Sequence, residues 1–262
     1  MFDYLSTRTI SQNLSKQGVK FEFLPEIDST NDYLKRKVLA GEVFGPLATV
    51  AEKQVKGKGT KGRLWMDDSE SCLKFSMVTE YRGDPKGLMT LSPLLAINLT
   101  ERLSELNNQI QVKWPNDLMT AEGKLSGILI EAVSHADGLY LIFGIGINLF
   151  PTDELKKRVN RKIAFVFEGG DEKQTKRGTI IELLTSCVLK TIQESVGLED
   201  TFLSERWKKF DYFYQKSLIF RTPDQTEIEG IEEGISENGK IRLIVQGLLK
   251  EFNSGEIVKE HL

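Results

Sequence analysis

The chain has 262 residues, 40% of them hydrophobic, which is enough for one large domain or for one domain with a small appendage. The net charge of -3 gives no electrostatic reason to expect a nucleic-acid-binding protein. Two cysteines, Cys72 and Cys187, lack the spacing of metal ligands and are typical of a reducing compartment. No segment resembles a signal peptide or a membrane span. We therefore expect a cytoplasmic protein without membrane contact.

The predicted elements begin with a strand, a turn and a helix over residues 21–42. Residues 28–30 are of the types that cap helices, and Gly41 is a natural end for the helix. A strand is predicted at 46–55. The alternation of apolar and polar residues over 73–79 predicts a second, half-buried strand.

The stretch 91–106 predicts a long helix, in which Ser92 is the cap and Pro93 lies in the first turn. Residues 151–176 are polar and predict no definite element. The remaining elements predicted before residue 216 are strands at 110–114, 124–133 and 139–149, the last two as a hairpin, and helices at 179–195, capped near Thr179, and 202–213.

Beyond residue 216 the composition changes to five short β-rich runs, which suggest a small barrel. Asn238-Gly239 predicts a two-residue hairpin with a type I′ turn. We therefore expect an α/β (α+β) fold, with a central mixed sheet flanked by helices in residues 1–216 and a small β domain in residues 217–262.

The most unusual stretch is VKGKGTKGRLW, residues 55–65, with three glycines and four cations. Gly57, Gly59 and Gly62 match the spacing of the dinucleotide-binding loop, but that loop needs a helix directly after it, and here a strand is predicted next. The P-loop pattern fails as well, because no Lys-Ser/Thr pair follows Gly62. Two interpretations stay open: a cationic loop whose backbone approaches an anion beside an apolar wall, Trp65, or a solvated hairpin tip.

A second motif, VKWPNDLM, places polar residues in a turn at the end of a strand. Lys113, Asn116 and Asp117 there have the chemistry to serve a nucleotide or its metal ion. The alternative is an ordinary Pro-Asn-Asp turn.

Two glycine-containing strands complete the set of motifs. Lys124 begins an apolar strand that contains Gly127, and a glycine inside a strand often marks the close approach of a ligand. Gly144 and Gly146 share one face of the next strand and leave a flat strip that ends at Asn148. A bound planar group would explain the strip, and a tightly packed helix is the alternative.

In this order the motifs DSTND, AEKQVKGKGTKGRLW, VKWPNDL, GKLSGILIE and GIGIN resemble the biotin protein ligase family, from residue 21 to the carboxyl terminus. The resemblance implies a class II synthetase-like catalytic domain and an SH3-like carboxyl-terminal domain. It implies that ATP, with Mg²⁺, activates biotin as biotinyl-5′-AMP. It also implies transfer of biotin to a lysine of a biotin carboxyl carrier protein.

The resemblance further implies roles for single residues. For catalysis it implies Lys124, Arg63, Lys113 and Asp117, with Asp117 also near Mg²⁺. For biotin and the adenylate it implies Ser29, Thr30, Asn31, Gln54, Gly57, Lys58, Gly59, Thr60, Trp65, Lys124 and Gly127. For the nucleotide it implies Arg63, Trp65, Asn116, Gly144, Gly146 and Asn148.

One residue departs from the family pattern, since Thr60 stands where many relatives have arginine. We expect weaker retention of the adenylate as a result. Few residues precede the match, so we expect no DNA-binding repressor domain. An extended sheet edge near the ligand loops suggests a homodimer.

Three other functions compete with this one. Lipoate or octanoate transfer to a carrier lysine uses the same fold, and a binding module without turnover would need no cation such as Lys124. A dinucleotide-dependent oxidoreductase is disfavoured because no helix is predicted after Gly62.

Overall fold

The computed structural model describes residues 4–43, 45–66, 71–106, 109–135, 138–159, 162–167, 173–195 and 202–260. Its helices are α1 (Tyr4–Ser15), α2 (Thr30–Leu39), α3 (Leu88–Leu103), α4 (Asp153–Arg158), α5 (Lys173–Ser195) and α6 (Phe202–Phe210). Its strands are β1 (Lys20–Ile27), β2 (Leu47–Gln54), β3 (Cys72–Tyr81), β4 (Gln111–Lys113), β5 (Asp117–Thr120), β6 (Gly123–His135), β7 (Gly138–Asn148), β8 (Ser217–Arg221), β9 (Glu227–Ile235), β10 (Ile241–Val245), β11 (Leu248–Phe252) and β12 (Glu256–Glu260).

Seven strands form the central sheet in the order β1-β2-β3-β7-β6-β5-β4. Only the β1–β2 pair is parallel, and the other neighbours are antiparallel. The sheet is therefore mixed, as the sequence predicts, and β6 and β7 form the predicted hairpin. The adjacent strands β3, β7 and β6 lie at its centre, and β7 carries the glycine strip.

Helices cover both faces of the central sheet. On one face, Leu34 and Val38 of α2 pack against Val78 and Ile142. The larger core lies on the other face, where α1, α3, α5 and α6 pack against alternate residues of the same strands. The expectation of a half-buried β3 is therefore wrong, because its residues are buried on both sides.

Helix α3 begins four residues before the predicted cap. Gly87 precedes its first residue, so Ser92 is not the cap and Pro93 lies inside the helix rather than in its first turn. The apolar residues Leu88 and Leu91 extend the helix towards its amino terminus and pack in the core. Helix α5 likewise begins at Lys173, so it starts before Thr179.

The last five strands form an antiparallel sheet in the order β11-β10-β9-β8-β12. In the turn between β9 and β10, the amide of Gly239 donates to the carbonyl of Ser236 at 2.9 Å, and the amide of Ser236 donates to the carbonyl of Lys240 at 2.8 Å. Gly239 has a positive φ of 75°, whereas Asn238 does not. The predicted two-residue type I′ turn is therefore wrong, because that turn needs positive φ at both positions.

The two sheets share one continuous hydrophobic core. The indole nitrogen of Trp114 donates to the carbonyl of Gly239 at 2.9 Å, and its ring lies 6.0 Å from that of Phe220. The division into domains at residue 216 stays a prediction. Among the described residues, no helix has both the length and the apolar character that crossing a bilayer requires.

Candidate active site

The amino terminus of α2 faces a cleft on its own side of the central sheet. The cleft lies over the glycine strip of β7, and Gly127 of the neighbouring strand β6 also lines it. The empty space in this cleft, including the solvent at its open mouth, is about 490 Å³. We call it the first cleft. Its lining includes Ser29, Thr30, Asn31, Gln54, Lys58, Gly59, Thr60, Trp65, Lys74, Ser76, Asn116, Asp117, Lys124, Gly127, Gly144 and Gly146.

A chain of hydrogen bonds fixes the polar end of the first cleft. The amide and hydroxyl of Thr30 both donate to Oε1 of Gln54, at 2.7 and 3.0 Å. The buried hydroxyl of Ser76 lies 2.7 Å from Oγ1 of Thr30 and 2.6 Å from Oδ1 of Asn31. Nδ2 of Asn31 donates to Oε2 of Glu131 at 2.8 Å. These side chains are held in place to present donors and acceptors to a polar ligand group at the positive end of a helix dipole.

Ser29 caps α2. It has an extended backbone, and its side chain accepts from the amide of Asp32. This cap confirms the predicted helix start, and it turns Thr30 and Asn31 towards the sheet because they occupy the first turn.

Residues 57–65, which we call the basic loop, form a short hairpin between β2 and β3. The amide of Trp65 donates to the carbonyl of Gly57 at 3.0 Å, and the amide of Gly59 donates to the carbonyl of Arg63 at 2.8 Å. At the tip, Lys61 and Gly62 both have positive φ. The prediction that this stretch links strand to strand is confirmed. The dinucleotide-binding interpretation is thereby excluded, because that loop needs a helix directly after it.

Three cations tether the basic loop to both walls of the site. Nζ of Lys58 lies 2.6 Å from Oδ1 of Asp32 in α2, and this hydrogen bond raises the pKa of Lys58. At the tip, Nζ of Lys61 donates to the carbonyl of Gly255 at 2.9 Å. The guanidinium of Arg63 pairs with the carboxylate of Glu256, and this hydrogen bond lowers the pKa of Glu256.

The indole of Trp65 lies directly above the glycine strip. A Cβ atom on Gly146 would lie 2.5 Å from Cε2 of this indole, and a Cβ atom on Gly127 would lie 3.1 Å from its Cζ3. Nε1 of Trp65 is buried and has no hydrogen-bond partner among the described residues. The two glycines thus leave room for a flat ring, which Trp65 occupies here.

Lys124 is the cation at the far wall of the first cleft. Its Nζ lies 2.5 Å from Oδ1 of Asp117 and 5.7 Å from the ring centre of Trp65, and its side chain is only 15% exposed. A nearly buried ammonium group with one carboxylate partner is suited to stabilise negative charge that develops beside it.

A second cleft opens on the other side of Lys124 and Asp117. Its charged lining comprises four cations and two carboxylates: Lys61, Arg63, Lys113, Lys124, Asp117 and Glu256. Nζ of Lys113 donates to the carbonyl of Ile257 at 3.4 Å, and the first two residues of β12 line this cleft. The excess of cations is suited to bind a polyphosphate.

The described residues contain no cluster of three or more side chains that would hold a metal ion by themselves. Asp117 and Glu256 nevertheless bring two carboxylates into a cleft lined with cations. Mg²⁺ commonly binds proteins through one or two carboxylates and otherwise through phosphates and water. The residues present therefore fit an ion that arrives with a polyphosphate.

Two of the predicted ligand residues lie outside the linings of both clefts. Nδ2 of Asn148 donates to the carbonyls of Lys124 and Ala164, each at 3.1 Å, so its amide supports the backbone of Lys124. Gly57 lies close to Gln54 and to the carbonyl of Trp65, where a Cβ atom would be 2.8 Å from that oxygen. Asn148 thus has a supporting position, and its expected role towards the nucleotide stays a prediction.

Asn116 and Gly144 also contact the protein closely. Nδ2 of Asn116 donates to the carbonyl of Ile128 at 2.6 Å, although the residue lines both clefts. A Cβ atom on Gly144 would lie 2.3 Å from Oδ1 of Asn31. Gly144 therefore makes room for an asparagine side chain at the polar end of the cleft.

Four residues of the site are absent from the sequence-based set: Lys74, Ser76, Glu131 and Glu256. Lys74 is 2% exposed, lines the first cleft and donates to the carbonyl of Glu52 at 2.6 Å. A polar residue that alternates with apolar ones inside a strand was the available signal for Lys74 and Ser76. Glu256 gives no local signal, because it reaches the site from the second sheet.

Comparison with known proteins gives the same family at several levels. The sequence profile described as "Biotin/lipoate A/B protein ligase family" matches residues 23–148. The bifunctional ligase/repressor BirA of Escherichia coli K12 is 33% identical over 244 residues, which cover 92% of this chain and 74% of BirA. The biotin–[acetyl-CoA-carboxylase] ligase of Mycobacterium tuberculosis is 21% identical over 244 residues, which cover 91% of this chain and 88% of that one.

A solved structure agrees with these sequences. The biotin protein ligase from Aquifex aeolicus, in complex with biotin and ATP, superimposes with a TM-score of 0.71 at 26% identity. The alignment covers 91% of this chain and 97% of that one. With most of the motif residues lining two adjoining clefts and a BirA relative matched over most of both chains, this chain belongs to the biotin/lipoate A/B protein ligase family.

Proposed function

We propose that the chain is an ATP-dependent biotin protein ligase. The observation that carries the proposal is the position of Lys124, nearly buried between the first cleft and the cation-rich second cleft. The solved relative from Aquifex aeolicus, whose complex holds biotin and ATP, supports this choice of substrates. Biotin would bind with its ureido group at the polar end beside Thr30 and Gln54, and with its carboxylate towards Lys124.

In the first step, a carboxylate oxygen of biotin attacks the α-phosphorus of ATP. The bond from that phosphorus to the bridging oxygen breaks, and pyrophosphate leaves with the electron pair. Both reactants are anions, so a fixed cation between them lowers the repulsion and stabilises the charge on the transferring phosphorus. Lys124 has the position for this role, and Arg63 and Lys113 of the second cleft would bind the departing phosphates. Mg²⁺, held by the phosphates and by Asp117, would neutralise part of their charge.

In the second step, the amine of an acceptor lysine attacks the carbonyl carbon of biotinyl-5′-AMP. The new amide bond forms as the carbon–oxygen bond to the phosphate breaks, AMP leaves with that electron pair, and the attacking nitrogen releases one proton to water. This aminolysis needs a neutral amine held close to the anhydride. Trp65 and the basic loop would shield the anhydride from water, which would otherwise hydrolyse it.

The test is a reconstituted reaction of the full chain with ATP, Mg²⁺, biotin and a biotin carrier domain from a carboxylase. A mass increase of the carrier by one biotinyl group is expected, and it should depend on ATP. Biotin-dependent exchange of pyrophosphate into ATP, absent with lipoate, separates the proposal from lipoate ligation. Binding of biotin without transfer would instead indicate a binding module.

A glycine substitution tests the polar end of the first cleft. Gly144→Ala places a methyl group on the amide of Asn31 and should break its bonds to Ser76 and Glu131. We expect the KM for biotin to rise about tenfold, with a smaller change in kcat, because aligned donors are lost. Gly178→Ala in α5 is the matched control, since its new methyl group would meet only Ile10, at 3.5 Å. An unchanged KM for biotin in Gly144→Ala would contradict this placement of the ligand.

Thr60 offers a test of how firmly the adenylate is held. Thr60 lines both clefts, so an arginine there would add a planar group of charged donors next to the adenylate phosphate. We expect Thr60→Arg to slow dissociation of biotinyl-5′-AMP about tenfold, and Thr60→Ala to change it less than twofold. Stopped-flow dissociation of the adenylate measures both, and equal rates in the wild type and Thr60→Arg would reject the idea.

The carrier domain of a carboxylase is the proposed macromolecular partner. The homodimer, the cytoplasmic location and the lack of DNA binding expected from the sequence stay predictions. Sedimentation with and without biotin and ATP would measure the oligomeric state. Binding of the protein to a biotin operator fragment would contradict the predicted lack of DNA binding.

A further inference from the structure

The tip of the basic loop is attached to the carboxyl-terminal sheet rather than to its own sheet. Lys61 and Arg63 both reach the start of β12, where the carboxylate of Glu256 pairs with Arg63 and lies 3.7 Å from Nζ of Lys61. Lys61 also donates to the carbonyl of Gly255. Two cations of the loop thus converge on one short segment of another sheet.

The backbone at this attachment point is closely fitted. Gly255 has a φ of 152°, and a Cβ atom there would lie 2.1 Å from Cζ of Phe220. Phe220 is fully buried in the core that both sheets share. Glu256 therefore projects from a rigid support, whereas Lys61 and Arg63 lie on a hairpin tip with more than half of each side chain exposed.

We propose that Glu256 is a positioning residue that holds the basic loop closed over the first cleft and so retains biotinyl-5′-AMP between the two half-reactions. The basic loop begins shortly after the end of β2, and Lys58 near its start pairs with Asp32 of α2. Among the described residues, only Lys61 and Arg63 connect the tip to another part of the protein by side-chain hydrogen bonds or ion pairs. Releasing the tip would free Thr60 and Trp65, which cover the first cleft, without disturbing the polar end at Thr30.

The proposal rests on the proposed function, because its ligand is biotinyl-5′-AMP. Substitution of Glu256 should accelerate dissociation of this adenylate, whereas Thr60→Arg should slow it. Glu256→Gln removes the charge but keeps an acceptor, and Glu256→Arg sets a cation against Lys61 and Arg63. Partly exposed ion pairs contribute modestly, so we expect the adenylate to dissociate about threefold faster in Glu256→Gln, and about tenfold faster in Glu256→Arg because of repulsion.

The same sheet offers a matched control. Glu251 of β11 pairs with an arginine and a lysine, Arg242 at 3.0 Å and Lys240 at 3.9 Å, and lies outside the linings of both clefts. Glu251→Gln and Glu251→Arg should leave the dissociation rate of the adenylate within twofold of the wild type. Equal rates in the Glu256 variants and the wild type would overturn the proposal. Equally accelerated rates in the Glu251 variants would also overturn it, because they would indicate general loosening of the sheet.

A second measurement needs no ligand and separates failure of this inference from failure of the proposed function. Trypsin cleaves after Lys58, Lys61 and Arg63, so cleavage of the loop in the full chain reports how often the tip is released. Faster cleavage is expected in Glu256→Arg than in Glu251→Arg, with thermal unfolding temperatures that agree between the two. Absence of any adenylate in the wild type would reject the ligase activity. Equal cleavage in the two variants would instead reject the role proposed for Glu256 in holding the basic loop closed.

Discussion

Lys124→Ala should lower the rate of adenylate formation by about 10² to 10³-fold, which is the usual loss when one pre-organised donor is removed from a site of developing charge. The ammonium of Lys124 lies between two clefts that would hold two anions, and its carboxylate partner Asp117 keeps it in place. Biotin-dependent pyrophosphate exchange measures this step directly. We expect a smaller effect on the affinity for biotin, because the polar end of the cleft is untouched.

Removing Lys124 also leaves Asp117 without its close cation, and the resulting negative charge would repel ATP. Asp117→Asn combined with Lys124→Ala separates the two effects, since the double variant removes that charge as well. We expect the double variant to stay within about tenfold of Lys124→Ala. Recovery to the wild-type rate would show that Lys124 only neutralises Asp117. Lys53→Ala is the control, because Lys53 pairs with Glu26 at 2.8 Å on the surface, away from both clefts.

Glu232→Gln should change the pH dependence of stability more than any other single carboxyl substitution that we propose. Glu232 of β9 is 1% exposed, and both of its carboxyl oxygens lack a donor among the described residues. Burial raises its pKa to about 10, and the negative charge of Asp211 adds to the rise. Burial also raises the pKa of Asp211, which accepts from the indole of Trp207 at 2.7 Å. Lys216 and Glu233 supply the other charges near this pair.

The sign of the effect follows from proton binding. The folded chain keeps a proton on Glu232 above the ordinary carboxyl range, whereas the unfolded chain releases it. Unfolding therefore releases a proton, and the free energy of unfolding falls as the pH rises towards the folded pKa. The slope is about 1.4 kcal/mol per pH unit for one proton.

Because an amide does not titrate, Glu232→Gln should lose this dependence. The free energy of unfolding of the variant minus that of the wild type should rise by about 1.4 kcal/mol per pH unit between pH 6 and 9. Urea unfolding at several pH values measures the difference. Glu229→Gln, an exposed position on the same strand, should give a profile parallel to the wild type. A parallel profile for Glu232→Gln would contradict the raised pKa of Glu232.

Local patterns predicted most of the central sheet and one wall of the site. The cap at Ser29 and the alternate glycines of β7 are patterns of residues close together in the sequence, so they can be predicted from the sequence alone. Ser92-Pro93 is typical of a helix start and predicts that α3 begins there, but burial of the preceding apolar turn decides the true start. The alternation in β3 predicts an exposed polar side, but Lys74 and Ser76 line a cleft that α2 and the basic loop cover.

Contacts between distant segments could not be predicted in this way. Glu131 of β6 accepts a hydrogen bond from Asn31 of α2, 100 residues earlier in the chain, and Glu256 reaches Arg63 from a different sheet. Both are ordinary acidic residues in their local sequence, and only the topology gives them a role. The same holds for Asp211 and Glu232, whose proximity depends on how β9 packs beside α6.

The indole of Trp65 has a spectroscopic consequence. The chain has three tryptophans, and two of them donate from Nε1 to fixed protein acceptors: Trp114 to Gly239 and Trp207 to Asp211. Trp65 lies in the first cleft, and its buried Nε1 has no hydrogen-bond partner among the described residues. Indole fluorescence depends on polarity and hydrogen bonding. The emission of Trp65 should therefore change when a ligand enters the first cleft, whereas the emission of Trp114 and Trp207 should stay nearly constant.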